Sequence, residues 1–389
     1  MDYDRTLYLT SEAFKFSGIE MGYKRIPGYL KYLYHFNALW LYADVFGEFF
    51  WLCEGIAMGK SIDLLSRVAP CSALCILSTA KTLPMVTNND ILKDAVLKLR
   101  RLHQGVDLRN SFECDELMKT STILKNIITV LVVGFVCAVV LFTSMPGFLM
   151  AYDFFTTGTY QLQLPFFTKY FVDVFADARI YTFVYLHQFV STVLVGLNIF
   201  AADTLFFAFC SYVKMHFRIL GHYYENIVGQ SESETRNNLR RCVRTHQVLI
   251  KLVNQINILY SKSTLVNIMT SSFIICLCGF NITITKSKDM STYLLFIPFL
   301  MNSLTEIFLM CFFGDQMIDS SYNITQAVYS SRWYDAGEDL KRSVLLILFR
   351  SQQSCKITAA NFSDLHLRSF TTILSRSWSY FALLRTMYD

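Results

Sequence analysis

From Asn126 to Met150 the chain carries no charged side chain, and that run limits the possible folds more than any other feature. At 1.5 Å rise per residue, a helix of this length spans the roughly 30 Å hydrocarbon core of a bilayer. Inside lipid every backbone amide must be paired within the structure, which leaves helices or a closed barrel. The run is continuously apolar rather than alternating, so it reads as a helix. A second stretch, 292–314, is interrupted only by Glu306. Five weaker stretches, 35–58, 64–85, 180–212, 263–285 and 364–386, complete a set of seven. The first of these carries Asp44, Glu48 and Glu54, and the second carries Arg67 and Lys81. Charged residues make up 17% of the chain against about 25% in soluble domains, and six Pro with sixteen Gly leave few turns. The expected fold class is an all-α integral membrane protein with seven transmembrane helices.

Loop charge gives the direction. With the N-terminus in the cytoplasm, the inner segments are 1–34, 86–125, 213–262 and 315–363, and they hold most of the 35 Lys and Arg residues. The outer segments hold Lys60, Lys169, Lys286 and Lys288, with Arg179 and Arg385 at their edges. The positive-inside rule therefore places the N-terminus inside and the C-terminus outside, the reverse of a G-protein-coupled receptor. The same rule accounts for the net charge of +5 without nucleic acid. Met1 to Thr10 is too charged for a signal peptide. None of the eleven Cys has metal-site spacing, and no cofactor is expected. The sequons at Asn281, Asn323 and Asn361 fall on inner segments or at a helix end, so none is a good glycan acceptor.

The inner segments are themselves patterned. Leu239, Val243, Leu249, Val253, Ile256 and Tyr260 recur at helical spacing, which predicts a long extension of span 4 or 5 below the membrane. The apolar run of 340–352 is too short to cross lipid and predicts a packed helix just before the last span. Subunits would naturally meet at such a helix.

The last part of the chain carries the most specific signal. Ser331-Arg332-Trp333-Tyr334 precedes the apolar run Val344 to Phe349, followed by Ile357-Thr358-Ala359-Ala360-Asn361-Phe362. Phe370-Thr371-Thr372-Ile373-Leu374 comes next, and then Ser377-Trp378-Ser379-Tyr380-Phe381-Ala382-Leu383-Leu384-Arg385. This ordered set, over roughly 320–388, resembles the C-terminal signature of insect odorant receptors. One departure is Gln353-Ser354-Cys355, where many relatives carry Pro. Insect gustatory receptors and the odorant co-receptor place Gln six residues after the motif Tyr, where this chain has Thr386, and the co-receptor is longer. The resemblance is thus to a tuning subunit.

The resemblance implies a tetrameric odour-gated cation channel built with the insect co-receptor in the plasma membrane of olfactory sensory dendrites. It divides the chain into a ligand-binding bundle with cytoplasmic extensions (1–314), a cytoplasmic anchor (315–363) and a pore-lining last helix (364–389). It places Trp333, Tyr334, Leu345 and Leu348 in the anchor between subunits, and Leu383, Thr386 and Met387 at the outer constriction. Polar residues along the last span, Thr371, Thr372, Ser375, Arg376, Ser377 and Ser379, suit either a pore or interhelical hydrogen bonds.

For the ligand, a small volatile odorant, an apolar pocket with few polar anchors is expected. Tyr181, Tyr185 and Phe189 stack along span 4 beside His187 and Gln188. Ser144, Phe148, Tyr293 and Phe296 occupy the outer halves of spans 3 and 6. Micromolar binding requires only ~8 kcal/mol, which burial of a small apolar molecule can supply. The intramembrane acids of span 1 suit either a proton or ion relay or pairing with Arg67 or Lys81, and Asp364 and Arg368 are spaced for an i, i+4 pair or a surface bridge of little consequence. Other classes fit less well. There is no acidic-Arg-aromatic triplet at the end of span 3, no repeated halves of a transporter, and no catalytic constellation.

Overall fold

A computed structural model describes residues 3–22, 28, 31–159, 162–284, 290–335 and 337–388. Its elements are almost all helical. Short α1 (Tyr3–Thr6) and α2 (Tyr8–Phe16) precede α3 (Lys31–Ala57), α4 (Ile62–Ser66), α5 (Ala69–Thr87) and α6 (Asn89–Gln104). Then follow α7 (Ser111–Thr157), α8 (Ala178–Glu225), α9 (Glu232–Ile284), α10 (Met290–Ser330), α11 (Glu338–Ser351) and α12 (Leu367–Tyr388). A two-stranded antiparallel hairpin, β1 (Thr358–Ala359) with β2 (Ser363–Asp364), links α11 to α12.

The seven expected spans lie on α3, α5, α7, α8, α9, α10 and α12. Five stretches, from Leu64, Ser111, Ala178, Glu232 and Thr292 onward, are long and apolar enough to cross a membrane. In α3 and α12, acids and arginines dilute the apolar character, although 27 and 22 residues are enough length to cross. Helix α7 has 47 residues, about 70 Å of helix, more than twice the hydrocarbon thickness. Helices α8, α9 and α10 are comparably long, and together with α6 and α11 they build a second, helical layer beyond the membrane-length part. The patterned segment 236–260 extends span 5, within α9.

The ends of these helices are set locally. Asn110 caps α7 by accepting from the Phe112 amide at 3.0 Å, and Gly158, at φ 72°, closes it in the left-handed conformation that favours glycine. Asp177 caps α8 by accepting from the Arg179 amide at 2.9 Å. Pro146 and Pro298 lie inside α7 and α10, as membrane helices tolerate.

Helix α8 is the axis of the molecule. It packs against α2, α5, α7, α9 and α10, and nearly every residue from Phe200 to Leu220 is buried. A helix surrounded on all sides is apolar all round, which explains why this stretch shows no amphipathic face. The main core continues from it through Leu249, Val253, Ile256 and Tyr260 of α9 to Met317 and Ile324 of α10.

Some expected pairings are replaced. Lys81 bonds Asp203 on α8 and Glu306 on α10, the latter at 2.5 Å, rather than any acid of α3. Arg67 donates to Thr292 Oγ1 at 3.1 Å, and Glu54 pairs with Lys169 at 2.7 Å. Asp364 is a strand residue, paired with Lys356 at 2.8 Å across the hairpin instead of with Arg368. The last helix accordingly begins at Leu367. Lys286 and Lys288 lie outside the described residues.

Candidate functional site

The site is built where the α7–α8 loop folds back into the bundle. Phe166 of that loop is buried, and its backbone amide and carbonyl both bond the side-chain amide of Gln188, at 3.3 and 3.2 Å. Gln188 also donates to the Tyr170 hydroxyl at 3.1 Å. Tyr181 donates to the Gln163 carbonyl at 2.8 Å, and Tyr185 donates to the Thr143 carbonyl of α7. Phe142 stacks on Phe166 with centroids 6.2 Å apart and meets Phe299 edge-on at 5.9 Å. The loop, α7, α8 and α10 thus converge on one aromatic junction.

Beside it lies a polar floor. Asp44 of α3, buried, accepts from Ser191 of α8 and from Tyr170 at 3.4 Å, and its Oδ1 lies 3.1 Å from His187 Nδ1. The His187 ring lies 4.5 Å from Trp40. Buried Glu48 accepts from Ser72 of α5. This arrangement can hold a small, mostly apolar molecule by dispersion while offering it a few hydrogen-bond acceptors.

Of the residues chosen for the ligand, Tyr181, Tyr185 and His187 fall in or beside this junction. Phe296 is fully buried close by, against Ala73, Ile274 and Cys278, and Tyr293 is half-buried. Ser144, Phe148 and Phe189 are not brought to it. The inward face of α7 runs through Phe142, Thr143 and Pro146, which turns Ser144 back onto its own helix at Leu141. Phe148 and Phe189 are exposed. Asp44, Glu48, Trp40, Ser191 and the loop residues Phe166 and Tyr170 join the site in addition. Asp44 and Glu48 were marked in the sequence as acids within a membrane span, whereas Trp40, Ser191, Phe166 and Tyr170 carried no such signal.

Two surface clefts lie elsewhere, in the helical layer that carries α6 and α11. One, of about 290 Å³, is lined by Tyr3, Asp4, Arg100 and His103 among others. The second, of about 270 Å³, lies between Phe112, Phe217, Arg218 and Asn323. None of the residues chosen for the ligand lines either cleft.

The other two residue groups also find definite places. Helix α12 buries a single stripe, Ser369, Ile373, Ser377 and Phe381, against α9 and α10. Thr371, Thr372, Ser375, Arg376, Ser379, Leu383 and Thr386 remain exposed. The Met387 side chain lies outside the described residues. Helix α11 buries Leu340, Val344, Ile347 and Ser351 and turns Leu345, Leu346 and Phe349 outward. Trp333 and Leu348 pack partly on the core, and Tyr334 is exposed.

The 7tm odorant receptor family model matches residues 61–377. The chain belongs to that family. It is 25% identical to Odorant receptor 67c of Drosophila melanogaster over 92% of this chain and 88% of that one. It is 33% identical to Odorant receptor 85b of the same organism over 48% of each. In fold it is similar to the insect olfactory receptor OR5 from Machilis hrabei in complex with eugenol, with a TM-score of 0.82 and 15% identity over 99% of this chain and 97% of that one. An odorant receptor is a membrane receptor and not an enzyme, in keeping with the buried aromatic junction and the membrane-length helices.

Proposed function

We propose that this receptor is the odorant-binding subunit of a heteromeric, non-selective cation channel in the plasma membrane of olfactory sensory dendrites, assembled with the insect odorant co-receptor. The observation that carries the reading is α12. It is membrane-length, yet only one stripe of it is buried in its own chain, and the exposed remainder is rich in Ser, Thr and Arg. Polar membrane-helix faces border water or another protein, so this face supports a shared pore, with Leu383, Thr386 and Met387 at its narrow outer end. Apolar rings of that kind gate by dewetting.

The outward Leu345, Leu346 and Phe349 of α11, next to Tyr334, form an apolar patch that suits subunit contact. Residues 315–363 then act as the anchor, 364–389 as the pore helix, and 1–314 as the ligand bundle with cytoplasmic extensions. The N-terminus is cytoplasmic, as the loop charges require. A volatile organic ligand occupies the junction of Tyr181, Tyr185, His187, Tyr293 and Phe296 and favours the open pore through its differential fit to that state.

The test is whole-cell recording from cells expressing the chain alone and with the co-receptor under a broad odorant panel. Cation current seen only with both subunits, and insensitive to G-protein block, is expected. Second-messenger signalling from this chain alone would refute the reading.

A further inference from the structure

Asp44 and Glu48 stand one turn apart on the same face of α3. Each is only 1% exposed. Among the described residues neither has a Lys or Arg within ion-pair distance, whereas Glu54, further along the same helix, is paired with Lys169 at 2.7 Å. Buried carboxylates ordinarily have a cation or a full set of hydrogen bonds. Asp44 approaches that state through Ser191, Tyr170 and the nearby His187. Glu48 does not. Ser72 donates to one oxygen, and the other, Oε1, is buried without a hydrogen-bond partner.

The surroundings show what is missing. Trp40, His187 and Tyr170 supply aromatic surface next to Asp44. The groups around the two acids are hydroxyls, rings and the thiols of Cys71 and Cys75, not the six to eight oxygens that calcium takes. Through Tyr170 and Gln188 the floor is continuous with Phe166 and the aromatic junction. One end of the site therefore lacks a donor, and the adjoining end is apolar.

We infer that Glu48 is the polar end of the ligand site and selects a small molecule whose head group donates a hydrogen bond, an alcohol or a primary amine, over acceptor-only molecules such as esters. The inference rests on the reading of this chain as the odorant-binding subunit. A hydroxyl donating to Glu48 Oε1 satisfies that oxygen, and an ammonium does so as an ion pair. An ester leaves that oxygen unsatisfied and adds a second acceptor facing it, and sites built around a buried polar group reject ligands that leave it unpaired.

The test is direct binding to the purified receptor assembled with its co-receptor in lipid nanodiscs, with alkan-1-ols, primary alkylamines and alkyl acetates of four to ten carbons as probes. Alcohols, amines or both are expected to bind at least about tenfold more tightly than the acetate of equal chain length. Alcohol binding without amine binding would indicate a neutral donor, and the reverse an ammonium. Glu48→Gln is expected to reduce the donor-to-acetate ratio to within about threefold of unity, with acetate binding retained as the check on folding. Glu54→Gln is expected to leave the ratio unchanged. Equal binding of acetates and alcohols, no binding by any alcohol or amine, or an unchanged ratio in Glu48→Gln overturns the inference. Should Glu48→Gln not fold, the wild-type ratios alone decide. Binding that opens no current contradicts the channel reading and leaves this inference standing. Current opened only by acceptor-only odorants does the reverse.

Discussion

Replacing Lys81 by Met removes the one cation from a buried group of three charges. Its ammonium, 3% exposed, bonds Asp203 and lies 2.5 Å from Glu306, whose side chains are 10% and 7% exposed. The three residues come from α5, α8 and α10, so the cluster ties two membrane-length helices to the central one. Loss of one partner of a buried ion pair costs ~3–5 kcal/mol, because the other charge is left uncompensated. Here two carboxylates are left facing each other, which puts Lys81→Met at the upper part of that range. Converting all three residues to neutral isosteres, Lys81→Met with Asp203→Asn and Glu306→Gln, removes the stranded charge and should bring stability back to within about 1–2 kcal/mol of the parent. The assay is the thermal stability of detergent-extracted receptor, followed by fluorescence-detected size exclusion, together with surface delivery. Lys81→Met is expected to lower the midpoint by several degrees and to reduce surface receptor. The combined variant is expected to recover most of both. A Lys81→Met midpoint indistinguishable from the parent, or a triple variant as unstable as the single one, would refute the argument.

Burial holds the His216 ring, next to His103, down at about 3, and burial beside Arg350 holds His246 at about 4, both outside the seven spans. Each binds its proton more readily unfolded, near 6.5, so stability is full above that pH and falls as the pH drops toward 4. The slope should approach ~1.4 kcal/mol per pH unit for each ring, and His246→Gln should flatten it in acid denaturation. Asn257→Ala removes the acceptor of the Thr358 amide, now at 2.8 Å, and should cost ~1–3 kcal/mol, read as a lower thermal midpoint. Leu346→Asp with Phe349→Asp on the exposed face of α11 should abolish co-purification with the co-receptor without lowering the midpoint of the isolated subunit.

Much of the architecture was legible because lipid imposes a simple rule on composition. The uncharged run Asn126–Met150 and the nearly uncharged 292–314 lie on single long helices, and the periodicity of 236–260 extends one of them. The pairing of intramembrane charges was not legible. Lys81 had six acids in the expected spans to choose from, and only the packing of α5 against α8 and α9, with α10 beside α8, selected Asp203 and Glu306. A shift of one residue around α7 separates Thr143, which faces inward, from Ser144, which does not, and hydropathy cannot resolve so small a rotation. The hairpin between α11 and α12 was hidden for another reason. Its turn needs positive φ at Ala360 (47°) and Asn361 (63°), and Ala is an unusual residue there. The conformation is held from outside, by Asn257 and Ser261 of α9. Phe166 and Tyr170 come to the site from a loop whose fold depends on Gln188, a contact with no local sequence pattern.

The central claim is that α12 lines a pore opened by odorant, and cysteine modification of that helix tests it most directly. With the co-receptor present and an activating odorant applied, a charged thiol reagent should block current rapidly in Ser375→Cys, Ser379→Cys and Leu383→Cys, on the exposed side of α12. Ser377→Cys, in the buried stripe, should be protected. Equal protection at all four positions, with the receptor at the surface and odorant current intact, would contradict a pore along α12.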